Sequence, residues 1–148
     1  MNIYHKLDDI KINDIMFYKP TINKIAHYMY FYKVAYNIES FVLNTLLIEV
    51  DIKDTIITKD NNIYKVSIII DDVFLNKIKE VETTLLNKMN QMINKQIMLS
   101  CYKFLLIHKN IYTYNEYPTN IKLYLRISGI WESDTQIGLT TKLFIHQP

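Results

Sequence analysis

Glycine is almost missing from this chain: of 148 residues, only Gly129 and Gly138 are glycine. A loop that cradles phosphate needs several glycines at close spacing, so neither a Walker loop nor a dinucleotide fingerprint can be built. Cysteine is rarer still, with Cys101 alone; an intramolecular disulfide is excluded and a reducing compartment is expected. Arginine occurs once, at Arg126, and 17 Lys and Arg against 15 Asp and Glu leave a net charge of +2. That balance excludes the strongly basic class that coats nucleic acid indiscriminately, so any binding of phosphates requires charge gathered on one face. No stretch approaches the roughly twenty consecutive apolar residues of a membrane span, and residues 1–11 mix charged and apolar types too evenly for a signal peptide. A soluble intracellular protein without membrane contact is expected.

Residues that carry catalysis are equally sparse. His5, His27, His108 and His146 stand singly, with no second His or Cys at zinc-ligand spacing. Cys101 sits in an apolar run, where a thiol is inert packing, and Ser100, Ser128 and Ser133 lack a nucleophile-elbow context. The neighbours Asp8 and Asp9 would point to opposite faces of a strand, and a helix cap accounts for Asp71 and Asp72. No acid, base and nucleophile assemble, so the expectation is a protein that is not an enzyme and uses no metal or cofactor.

What the chain has in abundance is Ile (25), Lys (16), Asn (14) and Tyr (12). All four have A/T-rich codons, so the bias reads as that of a genome. The length suits a single domain over 1–148 with a core that needs no staple. Its clearest pattern lies at 121–146. Ile121, Leu123, Leu125 and Ile127 alternate with Lys122, Tyr124, Arg126 and Ser128; after turn chemistry at 132–135, Ile137, Leu139, Leu143 and Ile145 oppose Thr140, Lys142, Phe144 and His146. If the two strands pair with their aliphatic sides inward, the outward face collects Lys122, Arg126 and Lys142 with Tyr124 and Phe144. Cations interleaved with aromatic rings suit a single strand of nucleic acid, whose phosphates need charge and whose bases need flat apolar platforms. The same residues also occupy ordinary solvated strands. Gly129, just before the only tryptophan, suggests a bulge. Trp131 follows the inward register of Ile127 and is expected to lid one end of the core, with base stacking as the alternative.

Upstream, residues 28–36 read as a strand with Tyr28, Tyr30, Tyr32 and Tyr36 on one face and Met29, Phe31 and Ala35 on the other; Tyr30 and Tyr32 are weaker stacking candidates, and a helix over 24–36 is the alternative. Residues 41–54 read as one strand, and 55–70 as a hairpin turning at Asp60-Asn61-Asn62. From Asp71 or Asp72 the period lengthens: Leu75, Ile78, Val81, Leu85, Met89, Met92 and Ile93 form an apolar stripe opposite Lys77, Lys79, Glu80, Glu82, Asn87, Lys88, Asn90 and Lys95. This predicts one long amphipathic helix over about 72–96, its methionines core filler. Residues 97–108 read as a buried strand, with continuation of the helix into them as the alternative, and 110–120 as a Tyr-rich loop. The expected class is α+β, a mostly antiparallel sheet or a partly open OB-like barrel with that helix inserted before the last strands.

The segment from Leu123 to Leu143, anchored by Ser128-Gly129-Ile130-Trp131 and Ile137-Gly138-Leu139-Thr140, resembles the C-terminal hairpin of small single-stranded DNA-binding proteins of large DNA viruses. The resemblance implies an OB-like fold, a viral source, a place in DNA replication, and residence in the host cytoplasm or nucleus or packaged in a virion. The combined expectation is binding of single-stranded DNA, or RNA, with little sequence preference. Lys122, Arg126 and Lys142 would hold phosphates, with Tyr124, Phe144, Tyr30 and Tyr32 stacking bases. The alternative is a viral structural or host-interaction protein using the same aromatic face against a protein, and homo-oligomerisation through a sheet edge is compatible with either.

Overall fold

The computed structural model describes residues 3–22, 30–107, 109–114 and 116–146. His27, His108 and the tyrosine at 28 lie outside these residues, as do positions 24–29 of the helix weighed for 24–36, whose remainder is strand. Three short strands come first, β1 (Tyr4–Lys6), β2 (Ile15–Phe17) and β3 (Thr21–Ile22), followed by β4 (Tyr30–Ile38). The single strand expected over 41–54 is instead broken at Asn44 and Asp51 into β5 (Phe41–Leu43), β6 (Leu46–Val50) and the start of β7 (Ile52–Asp60), because the pieces find different partners: β4, β1 with a later strand, and β8 (Ile63–Ile70). The β7–β8 hairpin turns where expected, with Asn61 at φ 55°, a conformation its short polar side chain tolerates.

Helix α1 (Asp72–Ile93) starts as predicted, with the Asp71 carboxylate accepting from the Val73 and Phe74 amides at 3.0 and 3.2 Å. It ends earlier, at Asn94 in the left-handed region with φ 57°. Its buried stripe is Phe74, Leu75, Ile78, Leu85, Leu86 and Met89, whereas Met92 is 82% exposed and is no part of the core. Glu82, expected on the solvated side, is fully buried. Its carboxylate accepts from the Cys101 and Tyr102 amides at 2.8 and 2.9 Å.

Those amides belong to α2 (Ser100–Leu106), a helix where a strand was expected. After the three-residue β9 (Gln96–Met98), Leu99 gives no side-chain cap, and Glu82 supplies the missing acceptors from another helix. Cys101 and Leu105, one helical turn apart, face the core; burial and the nearby Glu82 push the Cys101 thiol up to about 12, an unreactive state. Part of the expected loop is a further strand, β10 (Lys109–Tyr114), and the chain closes with β11 (Lys122–Glu132) and β12 (Gln136–His146).

The class is therefore α+β, with two open sheets rather than a barrel. The larger runs β1-β6-β11-β12-β9, with β4 also on β11 and β2, β3 and β5 attached to β4; the smaller runs β10-β8-β7. Inner faces of both sheets and the stripe of α1 share one core, including Ile48, Leu125, Ile127, Ile68 and Ile78. Among the described residues no helix is long and apolar enough to cross a membrane.

Strand β11 organises the larger sheet. Leu123 to Ile127 pair with β6, Gly129 to Glu132 pair with β4, and the register shifts between the two runs. A Cβ on Gly129 would lie 2.1 Å from the Tyr32 carbonyl oxygen and 2.7 Å from the Phe31 ring. No side chain fits there while β4 stays paired. We predict that Gly129→Ala destabilises the protein by about 3 kcal/mol, the upper part of the range for forced overpacking, in urea denaturation; an unchanged midpoint contradicts this. A second prediction concerns Glu82. Burial raises its pKa from 4.5 against the opposing pull of two amides, so the native state holds its proton to higher pH than the unfolded chain does. The stability it contributes is then fully present below the unfolded pKa and lost as pH rises through the folded one. Relative to Glu82→Gln, the wild type gains stability as pH falls toward 4.5; a pH-independent difference in urea midpoints contradicts the reading.

Candidate nucleic-acid interface

Pairing of β11 with β12 sets the residues of interest in cross-strand tiers: Lys122 opposite His146, Tyr124 opposite Phe144, and Arg126 opposite Lys142. Leu123, Leu125 and Ile127 on the same strand are buried, so these tiers occupy the outward face. Five of the seven residues expected at the site, Lys122, Tyr124, Arg126, Lys142 and Phe144, are thus brought together. The Arg126 guanidinium carbon lies 4.9 Å and the Lys142 ammonium 5.2 Å from the centre of the Phe144 ring, so both cations are held against one aromatic plane.

The face continues onto β6 and β1. Tyr4 on β1 sets its ring 4.3 Å from Tyr124, tilted by 38°, and is 50% exposed. Leu47 on β6 is buried at the base of the resulting cleft, about 310 Å³ in volume and lined by Tyr4, Thr45, Leu47, Tyr124, Arg126 and Phe144. On the β1 side, Glu49 pairs with Lys6 at 2.9 Å and raises the Lys6 pKa through that hydrogen bond. Glu49, the β6 residue opposite Tyr124, is thereby balanced by a cation, and Arg126 and Lys142 make no salt bridge among the described residues. Nothing in the sequence pattern marks Tyr4, because a three-residue strand in parallel pairing carries no periodicity of its own.

Tyr30 and Tyr32 do not join this platform. Their parity on β4 places them beside Glu132 and Ile130, toward the inside. The Tyr32 hydroxyl donates to Glu132 Oε1 at 2.7 Å, and burial together with that bond pushes the phenol above its usual range. Lys95, from the turn after α1, donates to Glu132 Oε2 and to the Ser133 carbonyl. Tyr36, from the same stripe, is 4% exposed. Tyr32 and Tyr36 are thus bound into the interior, and Tyr30 shares their side of β4.

Trp131 also departs from expectation. The register shift at Ser128 adds one residue to β11, so the parity that keeps Ile127 inside puts Ile130 inside next and turns Trp131 outward, opposite Gly138. It is half-buried and is not a lid on the core.

Three buried side-chain polar atoms lack a hydrogen-bond partner among the described residues, and two of them, Arg126 Nε and Thr140 Oγ1, belong to this outward face. Unmet donors and acceptors are costly unless something meets them. The smaller sheet also shows outward tyrosines, Tyr112 and Tyr114 at 55% and 67% exposure, but its outer face sets one cation, Lys65 opposite Tyr112, against two acids, Asp54 and Asp60.

No protein-family model, no curated protein and no solved structure matches the chain. The residues alone therefore define the site. Its inside and outside can be separated by stability: Tyr32→Phe, which removes a hydrogen bond to a buried carboxylate, should lower it by about 1–2 kcal/mol, while the exposed Lys142→Ala should change it by less than about 0.5 kcal/mol. Equal effects in urea denaturation contradict the assignment.

Proposed function

We propose that this chain binds single-stranded nucleic acid across the outward face of β11 and β12, as a non-enzymatic module with little sequence preference. The observation that carries the reading is the alternation of tiers: cations at Lys122, rings at Tyr124 and Phe144, and cations again at Arg126 and Lys142, in direct cross-strand register. A single strand alternates charged phosphates with flat bases, and this ladder offers each its partner. The rings give no base-edge code, which accounts for low specificity. Arg126 and Lys142 form one cationic tier and Lys122 stands at the other side of the rings, so that a phosphate can be held on either side of a stacked base. Tyr4 extends the aromatic tier to three rings. The pairing of Glu49 with Lys6 keeps repulsion away from the strand.

Fluorescence anisotropy with labelled oligo-dT, oligo-U and a matched duplex at several salt concentrations tests this. Single strands should bind more tightly than the duplex, with log affinity falling against log salt at a slope of about −2, as expected for three neutralised phosphates at ~0.7 each. Arg126→Ala/Lys142→Ala should flatten that slope, and Phe144→Ala should weaken binding by about 1–3 kcal/mol, the worth of one stacked base. Absence of binding at low salt, or a salt-independent affinity, sinks the proposal and leaves the aromatic face as a protein contact.

A further inference from the structure

Both glycines of the chain serve the outward face, and each lies beneath an aromatic ring. A Cβ on Gly138 would meet the Trp131 indole at 2.4 to 2.8 Å, on Cζ2, Cε2 and Nε1; a Cβ on Gly129 would meet the Phe31 ring at 2.7 and 3.0 Å. The Trp131 indole therefore packs over the backbone of β12 at Gly138, in space that a side chain there would fill, and the residue stays partly exposed. A ring held against the strand in this way is ordered before a ligand arrives.

Position gives the seat its meaning. Along β12 the outward residues run His146, Phe144, Lys142, Thr140 and Gly138 without interruption, so Trp131 stands at the far end of the same ladder. Phe144 and Gly138 are six residues apart, about 20 Å along an extended strand. Thr140, midway between the Arg126–Lys142 tier and Trp131, carries the second buried polar atom of the face without a partner among the described residues. Across β4, the exposed Lys33 sits opposite Gly129 and shares the parity of Phe31, which pairs with Trp131. Ring, cation and unmet polar atom recur here in the combination found around Phe144.

We propose that the single-strand track does not end at Arg126 and Lys142 but crosses the Gly129 bulge to a second stacking platform, with Trp131 holding a base and Lys33 a phosphate. This inference rests on the proposed nucleic-acid binding and assigns its direction: the strand runs lengthwise along β11 and β12 instead of crossing the sheet from β1. The bulge is what makes the platform possible, since without the extra residue Trp131 would face the core.

The only tryptophan gives a direct readout. Oligo-dT is titrated into the wild-type protein while indole emission and the anisotropy of the labelled oligonucleotide are followed together. Quenching that saturates with the anisotropy signal is expected, as is photocrosslinking of a 5-iodouracil-substituted oligonucleotide to Trp131, mapped by mass spectrometry. Trp131→Leu should weaken binding about tenfold or more, the loss expected for one stacked base, and Lys33→Ala, an exposed change that leaves the fold intact, should weaken it and reduce the salt slope by a little under one. Binding seen by anisotropy with unchanged emission, no crosslink at Trp131 and unaltered affinity in Lys33→Ala overturns the second platform alone. No binding by anisotropy overturns the nucleic-acid reading and this inference with it.

Discussion

The close approach of β4 to β11 at Gly129 is the constraint on which the rest of the larger sheet depends. With 2.1 Å between a hypothetical Cβ and the Tyr32 carbonyl, only glycine lets β11 leave β6 and take β4 as its next neighbour. The bulge beside it resets the alternation, so that one strand can bury Leu125, Ile127, Ile130 and Glu132 while turning Arg126 and Trp131 outward. Sheet continuity, the inner polar network and the outward ladder thus follow from one backbone contact.

Two buried carboxylates join what the apolar core cannot. Glu82 closes the amide end of α2, and Glu132 gathers Tyr32 from β4 and Lys95 from the turn after α1. Each is met by specific donors, the condition under which burying a charge is tolerated. Keeping these acids inside, and pairing Glu49 with Lys6, lets a chain of net charge +2 present a locally cationic face without being basic overall.

Much of this was legible in the sequence where a strict period covered enough residues. That Lys122, Tyr124, Arg126, Lys142 and Phe144 share one face of the hairpin follows from alternation, the start of α1 from Asp71 or Asp72, and the β7–β8 turn from Asp60-Asn61-Asn62, whereas the register between the strands does not. Glu82 was not: it shares the spacing of Ile78 and Leu85, but a carboxylate reads as solvated, and only the amides of α2 that it meets account for its burial. Other features leave no local trace. Helix α2 depends on an acceptor 19 residues away from Cys101, and Tyr4 reaches Tyr124 only through tertiary pairing. Gly129 announced a bulge, but its effect on Trp131 depends on a count of residues that only the register with β12 reveals. The tyrosines at 30, 32 and 36 looked like a platform because strand spacing does not say which face is buried.

The proposed strand of nucleic acid would run lengthwise on one face of the larger sheet, with none on the smaller. The most direct test is a ¹⁵N–¹H NMR titration with oligo-dT, following backbone amides and the single indole N–H. The account predicts shifts along 122–131 and 138–146 and at Lys33, with Tyr112 and Tyr114 unmoved. Shifts centred on Tyr112 and Tyr114, or spread over α1 with β11 and β12 silent, would contradict it.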